Sequence, residues 1–155
     1  MSAGYKPTQH WIQTNLVDAT DDGTLLADPS VFTLDQAKTL VQLFAKVTSC
    51  RDPASFASGF TEDCVAWFPP QPELRGRSAL HDFMAAGFKA LGDDYVCTKS
   101  LRTVNGNVLG VTWMSTWTNR KSGETMIGRG LEFWIMREQK IARWDCSQTV
   151  WTVSA

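Results

Sequence analysis

Six consecutive residues, Leu131-Glu132-Phe133-Trp134-Ile135-Met136, set a single charge among five apolar side chains. A carboxylate in such a run is costly to bury unless it is used or paired. Burial raises a carboxylic acid's pKa, which is how one becomes an acid or base that works near neutrality. Glu132 is therefore the first candidate catalytic group. The alternative for it is an ion pair with Arg129, Arg143 or Arg120 on a neighbouring strand. Asp145 is the second carboxylate candidate. Cys146 beside it could act as a nucleophile only if a base lowered its pKa, and no histidine lies near it in the sequence, so a buried inert thiol is expected. The two histidines, His10 and His81, are read as an arm residue and a solvated helix residue. The four cysteines, at 50, 64, 97 and 146, have none of the short spacings that zinc sites or redox motifs use, so no metal is expected.

Four strands must hold these groups. After Asp93 the apolar pattern takes period two and predicts strands over Tyr95–Val104, Val108–Thr118, Thr125–Arg137 and Lys140–Trp151. Asn105-Gly106-Asn107, the stretch around Lys121-Ser122-Gly123, and Glu138-Gln139 supply the turns, and Asn-Gly is a strong hairpin signal. Alternation puts Cys64, Ala66 and Phe68 on one side of an earlier short strand. It puts Thr112, Met114 and Thr116 on one side of theirs, with Val111, Trp113, Ser115 and Trp117 opposite. Glu132 sides with Trp134 and Met136. Trp144, Cys146 and Gln148 share a side, and Asp145 falls with Arg143 on the other unless a bulge intervenes.

Helices precede the strands. Thr33 and Gln36 have the spacing of a capping box, and Leu34, Ala37, Leu40, Val41, Phe44 and Val47 follow at helical spacing. Asp52 before Pro53 reads as a second helix start, for a short helix presenting Phe56 and Phe60. A third helix begins near Ser78, with Leu80, Phe83, Met84, Phe88 and Leu91 on its buried side. Between the second and third helices, Cys64-Val65-Ala66-Trp67-Phe68 is a short strand stopped by Pro69 and Pro70. Helices first and a long antiparallel meander afterwards imply an α+β domain over residues 31–155, with helices on one face of a curved sheet. Residues 1–30 read as a polar N-terminal arm.

Several phrases in this order resemble the SnoaL-like and ketosteroid isomerase-like branch of the nuclear transport factor 2-like superfamily. They are Arg51-Asp52 through Phe60-Thr61-Glu62-Asp63-Cys64-Val65, Leu74-Arg75-Gly76-Arg77-Ser78-Ala79-Leu80-His81-Asp82-Phe83, Val104-Asn105-Gly106-Asn107-Val108, Arg129-Gly130-Leu131-Glu132-Phe133-Trp134, and Gln139-Lys140-Ile141. The resemblance implies a cone-shaped sheet wrapped around about three helices, with one apolar pocket. The positions matching the donor tyrosine and base aspartate of the ketosteroid isomerases are Phe44 and Phe68, which can do neither job. Those matching the polar residues of limonene epoxide hydrolase are Ala66, Phe68, Thr112, Met114 and Cys146, and none is retained. Glu132 falls near the isomerases' protonated aspartate. The resemblance thus implies a cofactor-independent isomerase, cyclase or dehydratase for a polyketide, terpenoid or steroid-like compound, or a pocket protein without catalysis. Glu132 and Asp145 are the expected acid–base residues. Ala66, Phe68, Thr112, Met114, Thr116, Trp134, Trp144, Cys146 and Gln148 are the expected substrate-binding set.

Bulk properties narrow the partners. The chain has 155 residues, 43% apolar and 20% charged, with a formal net charge of −1. Without clustered Lys and Arg, neither nucleic acid nor an anionic membrane is expected as partner. No stretch reaches the roughly 20 apolar residues of a membrane span. The N-terminus lacks the pattern of a secretory signal, so reduced thiols in a cytoplasmic protein are expected. Most of the seven tryptophans and eight phenylalanines are expected in the core, and the tryptophans also suit a cavity for a flat or bulky apolar ligand. Trp113 and Trp117 are expected on the outside of the sheet, where they would drive homodimerisation.

Overall fold

A computed structural model describes residues 32–153. Helix α1 spans Leu34–Cys50, α2 Pro53–Ser58 and α3 Arg77–Lys89; the strands are β1 Phe60–Trp67, β2 Leu74–Arg75, β3 Val96–Asn105, β4 Val108–Thr118, β5 Thr125–Arg137 and β6 Lys140–Thr152. The predicted arm over residues 1–30 lies outside the described residues.

The helix starts follow their sequence signals. Gln36 N donates to Thr33 Oγ1 and Thr33 N donates to Gln36 Oε1, closing the capping box. Asp52 accepts from Ala54 N ahead of Pro53. The helix after it is shorter than expected: Ser58 ends it, and Phe60 is the first residue of β1. At Gly59 a side chain would run into the ring of Phe44, so α1 packs directly on this corner.

The six strands form one open, curved sheet in the order β2-β1-β6-β5-β4-β3. Three hairpins make the antiparallel meander β3 to β6, in regular register along β4 and β5. Two features depart from a purely antiparallel expectation. β1 lies parallel to β6, with Ala66 opposite Trp144, because the chain returns to that edge after three hairpins. The stretch read as a turn into α3 carries the two-residue strand β2, paired with β1.

Helix α1 covers the free edge of β3. Ser49 Oγ accepts from Cys97 N at 2.9 Å, and Gln42 Nε2 donates to Lys99 O at 3.2 Å. An uncovered edge strand would offer those groups to another chain. On the concave side, Phe44, Phe56, Phe60, Trp134 and Trp144 meet with ring centroids 5.0–5.9 Å apart. Aromatic contacts of this kind supply much of a small domain's buried area.

Candidate active site

Strand parity decides what faces the concave side. Across β3 to β6 the rows Leu101–Val111–Glu132–Cys146 and Lys99–Trp113–Gly130–Gln148 are in register, and their side chains point the same way. Beyond them stand Cys97, Ser115, Gly128 and Val150. Of these, Cys97, Lys99, Trp113, Ser115, Glu132, Gln148 and Val150, together with Phe56, Phe68 and Trp144 and with Phe83, Met84, Gly87 and Phe88 from α3, border a cavity of about 240 Å³. Gly87, Gln148 and Val150 are its exposed members and mark the mouth.

Thr112, Met114 and Thr116 belong to the other face. Met114 is 50% exposed, and Thr112 Oγ1 accepts from Arg102 Nε at 2.8 Å on the outer surface. The expectation for these three is thus corrected. Val111 sits opposite Glu132, so the apolar series of β4 turns inward and carries Trp113 and Trp117 into the cavity. The same correction removes those two tryptophans from the outer face. Asp145 also lies outside the cavity. It pairs with Phe133 in regular register and takes both oxygens to Arg143 Nε at 3.1 Å, while Arg143 Nη2 reaches Glu73 at 3.3 Å. The one irregularity in this hairpin falls between Ile135 and Met136, beyond Asp145, so it does not turn the carboxylate inward.

The remaining expected residues are on the concave side. Phe68, Trp144 and Gln148 line the cavity; Trp134 borders a smaller crevice behind it, and Ala66 and Cys146 are buried beside these. His81 sits on α3 against Asp82, with Nδ1 3.0 Å from a carboxylate oxygen, and does not line the cavity. His10 is outside the described residues. Among the described residues no group of three His, Cys, Asp or Glu is placed to hold a metal ion.

Glu132 points into the cavity wall, and it is not alone. Lys99 Nζ donates to its Oε1 at 2.7 Å, and Trp134 Nε1 donates to its Oε2 at 2.8 Å. Both charged side chains are 3% exposed. The partner is none of the three arginines weighed from the sequence: Arg120 is held by Asp93, Arg143 by Asp145, and Arg129 stands exposed opposite Met114. Lys99 was hidden because Thr98-Lys99-Ser100 reads as solvated strand. The readable signal was the parity it shares with Cys97 and Leu101, combined with the need of Glu132 for a cation.

The pair stands in an apolar frame. Lys99 Nζ lies 5.8 Å from the ring centroid of Trp113 and 5.8 Å from that of Trp134, within cation–π range of both. Burial pushes the Cys97 and Cys146 thiols up, and Glu132 and Lys99 act on each in opposite directions. Cys146 Sγ sits 4.0 Å from Glu132 Oε1, so ionising it would set two negative charges side by side. It is an inert thiol. Burial likewise lifts the Tyr95 phenol far above its ordinary range, with the neighbouring Cys97 thiol adding to the effect and Ser115 opposing it. Among the described residues the buried indole N–H of Trp113 has no hydrogen-bond partner of good geometry; the Cys146 sulfur near it is a weak acceptor.

Two glycines make room for this frame. On the inner face of β5, Gly128 and Gly130 precede Glu132 and Trp134 at every second position. A side chain at Gly130 would strike Trp113 and the Ser147 carbonyl, and one at Gly128 would press on Ser115, Trp113 and Trp117. The indoles of β4 lie across the bare backbone of β5.

A curved open sheet over three helices, with its polar groups at the inner wall of one cavity, defines a member of the SnoaL-like domain family. Residues 41–144 match that family, and the chain belongs to it. Solved structures share the fold at low identity. The epoxide hydrolase/cyclase-like enzyme SalBIII, described in pyran ring formation in polyether salinomycin, is 14% identical, with a TM-score of 0.66 over 77% of this chain and 97% of its own. A candidate isomerase from Bacillus subtilis is 14% identical, with a TM-score of 0.65 over 76% of this chain and 90% of its own. A candidate polyketide cyclase from Sinorhizobium meliloti is 21% identical, with a TM-score of 0.55 over 70% of this chain and 94% of its own. No curated protein sequence matches the chain significantly. Among the described residues no helix is long and apolar enough to cross a membrane.

Proposed function

We propose that the cavity binds an apolar small molecule of the polyketide, terpenoid or steroid-like kind and that the Lys99–Glu132 pair isomerises, cyclises or dehydrates it without a cofactor. The observation that carries this reading is the pair itself: two opposite charges, each 3% exposed, at the wall of a cavity otherwise lined mainly by aromatic and aliphatic side chains. A buried ion pair is weak evidence for stability, because its desolvation offsets most of the attraction. Ionisable groups brought together in an apolar cleft are candidates for proton transfer. Glu132 can take a proton from a carbon next to a carbonyl, while the Lys99 ammonium stabilises the charge that develops on the oxygen. Return of the proton to another carbon completes an isomerisation.

Tryptophan fluorescence tests the reading, because Trp113, Trp117 and Trp144 all line the cavity. Steroid, polyketide and terpenoid panels should quench wild type and Glu132→Gln alike, with turnover, followed by mass spectrometry, confined to wild type. Equal binding with no turnover in either would favour a second reading, a ligand carrier. Phe44, Phe68 and Cys146, which match catalytic positions of known enzymes but lack their chemistry, favour that reading.

The outer face offers a dimer surface different from the one first expected. Met114, Leu131 and Phe133 are 50%, 60% and 55% exposed there on adjacent strands. The proposed occupant is a second copy of this chain. Sedimentation should show a dimer that Leu131→Lys converts to monomer; a wild-type monomer would refute it.

A further inference from the structure

Lys99 has the surroundings of an amine that reacts as well as one that pairs. Its nitrogen is fixed by Glu132, flanked by two indole rings at 5.8 Å, and placed on the wall of a mainly apolar cavity that opens at Gly87, Gln148 and Val150. Lysines desolvated in apolar pockets are the ones that form Schiff bases with carbonyl substrates. Building on the proton-transfer reading above, we infer that Lys99 forms a covalent imine with apolar aldehydes or ketones that enter the cavity.

The geometry supplies each part of the step. Glu132 Oε1, 2.7 Å from Nζ, takes the ammonium proton and leaves a neutral amine. The amine's lone pair attacks the carbonyl carbon of a molecule held in the cavity that Lys99 lines, at the roughly 3–3.5 Å of a near-attack contact. The C=O π electrons move to oxygen, whose negative charge is offset by the adjacent cationic nitrogen. One nitrogen proton passes to that oxygen to give a neutral carbinolamine. Protonated Glu132 then returns its proton to the hydroxyl, which departs as water while the nitrogen lone pair closes the C=N bond. The protonated imine left behind pairs with the Glu132 carboxylate, as the ammonium did. No oxidant or reductant is consumed. The indole rings favour a flat or conjugated carbonyl compound, and the absence of further buried cations among the cavity-lining residues disfavours one that carries a carboxylate.

The test traps the imine. The full chain is incubated with naphthaldehyde and sodium cyanoborohydride, and the reduced adduct is located by intact mass and peptide mapping. The expected result is one adduct on Lys99, formed at least about tenfold faster than on any exposed lysine, as an activated amine requires. Excess naphthylmethanol, which fills the cavity without a carbonyl, should protect it. Lys99→Arg keeps the cation and should abolish the adduct. Lys99→Met combined with Glu132→Leu removes both charges together and serves as the second control should the arginine not fit. Labelling of Lys38, Lys46 or Lys89 in preference to Lys99, or no adduct at all, overturns the imine. In that event the alcohol separates the two ideas. If naphthylmethanol still quenches tryptophan fluorescence, the cavity reading stands without the imine; if it does not, both fall.

Discussion

Replacing Lys99 by methionine keeps most of the apolar stem and removes the charge. Glu132 would then hold Trp134 Nε1 at 2.8 Å and the weak Cys146 thiol donor at 4.0 Å, in a site where its side chain is 3% exposed. Breaking a buried ion pair from one side costs about 3–5 kcal/mol, because the surviving charge is left uncompensated. In a domain of this size each kcal/mol lowers Tm by about 2–4 °C, so the expected fall is roughly 6–20 °C. Replacing both partners, as Lys99→Met with Glu132→Leu, should recover most of this and come within about 1–2 kcal/mol of wild type, since two apolar groups leave nothing unpaired. Urea titrations of wild type, both single variants and the double variant, read by tryptophan fluorescence, give the coupling energy directly. If Lys99→Met costs less than about 1 kcal/mol, the pair is reached by water and the reasoning from its burial is wrong.

Three further outcomes follow from the same structure. Gly130→Ala should destabilise by about 1–3 kcal/mol, as overpacking does, because the new methyl meets the rigid Ser147 carbonyl and Trp113; thermal unfolding checks it. Asp93 is held below its ordinary value of 3.8 first by the Arg51 side chain and then by Arg120. A lowered folded-state value means its contribution is full above about pH 3.8 and is lost as pH falls through the folded value, so Asp93→Asn should make the acid limb of stability shallower. Of the four thiols, Cys50 is exposed, whereas Cys64, Cys97 and Cys146 are buried and Cys64 is pushed up to about 11. Iodoacetamide at mildly alkaline pH should therefore modify Cys50 first in the native protein, and all four after denaturation.

The four meander strands are legible almost residue by residue, whereas β1 begins four residues before the expected Cys64 and β2 is not expected at all. Period-two alternation and the Asn105-Gly106 turn are local, so the bounds of β4 and β5 agree with their prediction and those of β3 and β6 shift by one residue. The parallel pairing of β1 with β6 is a contact between distant parts of the chain, and no local pattern reports it. The inward set of β4 differs from the expected one for another reason. Thr112 and Met114 were chosen by matching positions to other enzymes, while the apolar Val111, Trp113 and Trp117 opposite them marked the buried side by hydrophobicity alone. Glu132 was visible because a charge stands out in an apolar run, and Lys99 was not, because a lysine between threonine and serine looks like ordinary surface.

The glycine track on β5 makes the cavity's size and the shape of its floor inseparable. Trp113 and Trp117 carpet a strip of backbone that has no side chains of its own at Gly128 and Gly130. Trimming either indole to admit a larger guest would not simply deepen an oily chamber; it would strip peptide groups bare at the floor. A newly admitted molecule would meet the faces of amides already paired with β4 and β6, a flat floor on which a planar guest would lie best. Enlarging this chamber by mutation would therefore change the kind of guest it accepts together with the size.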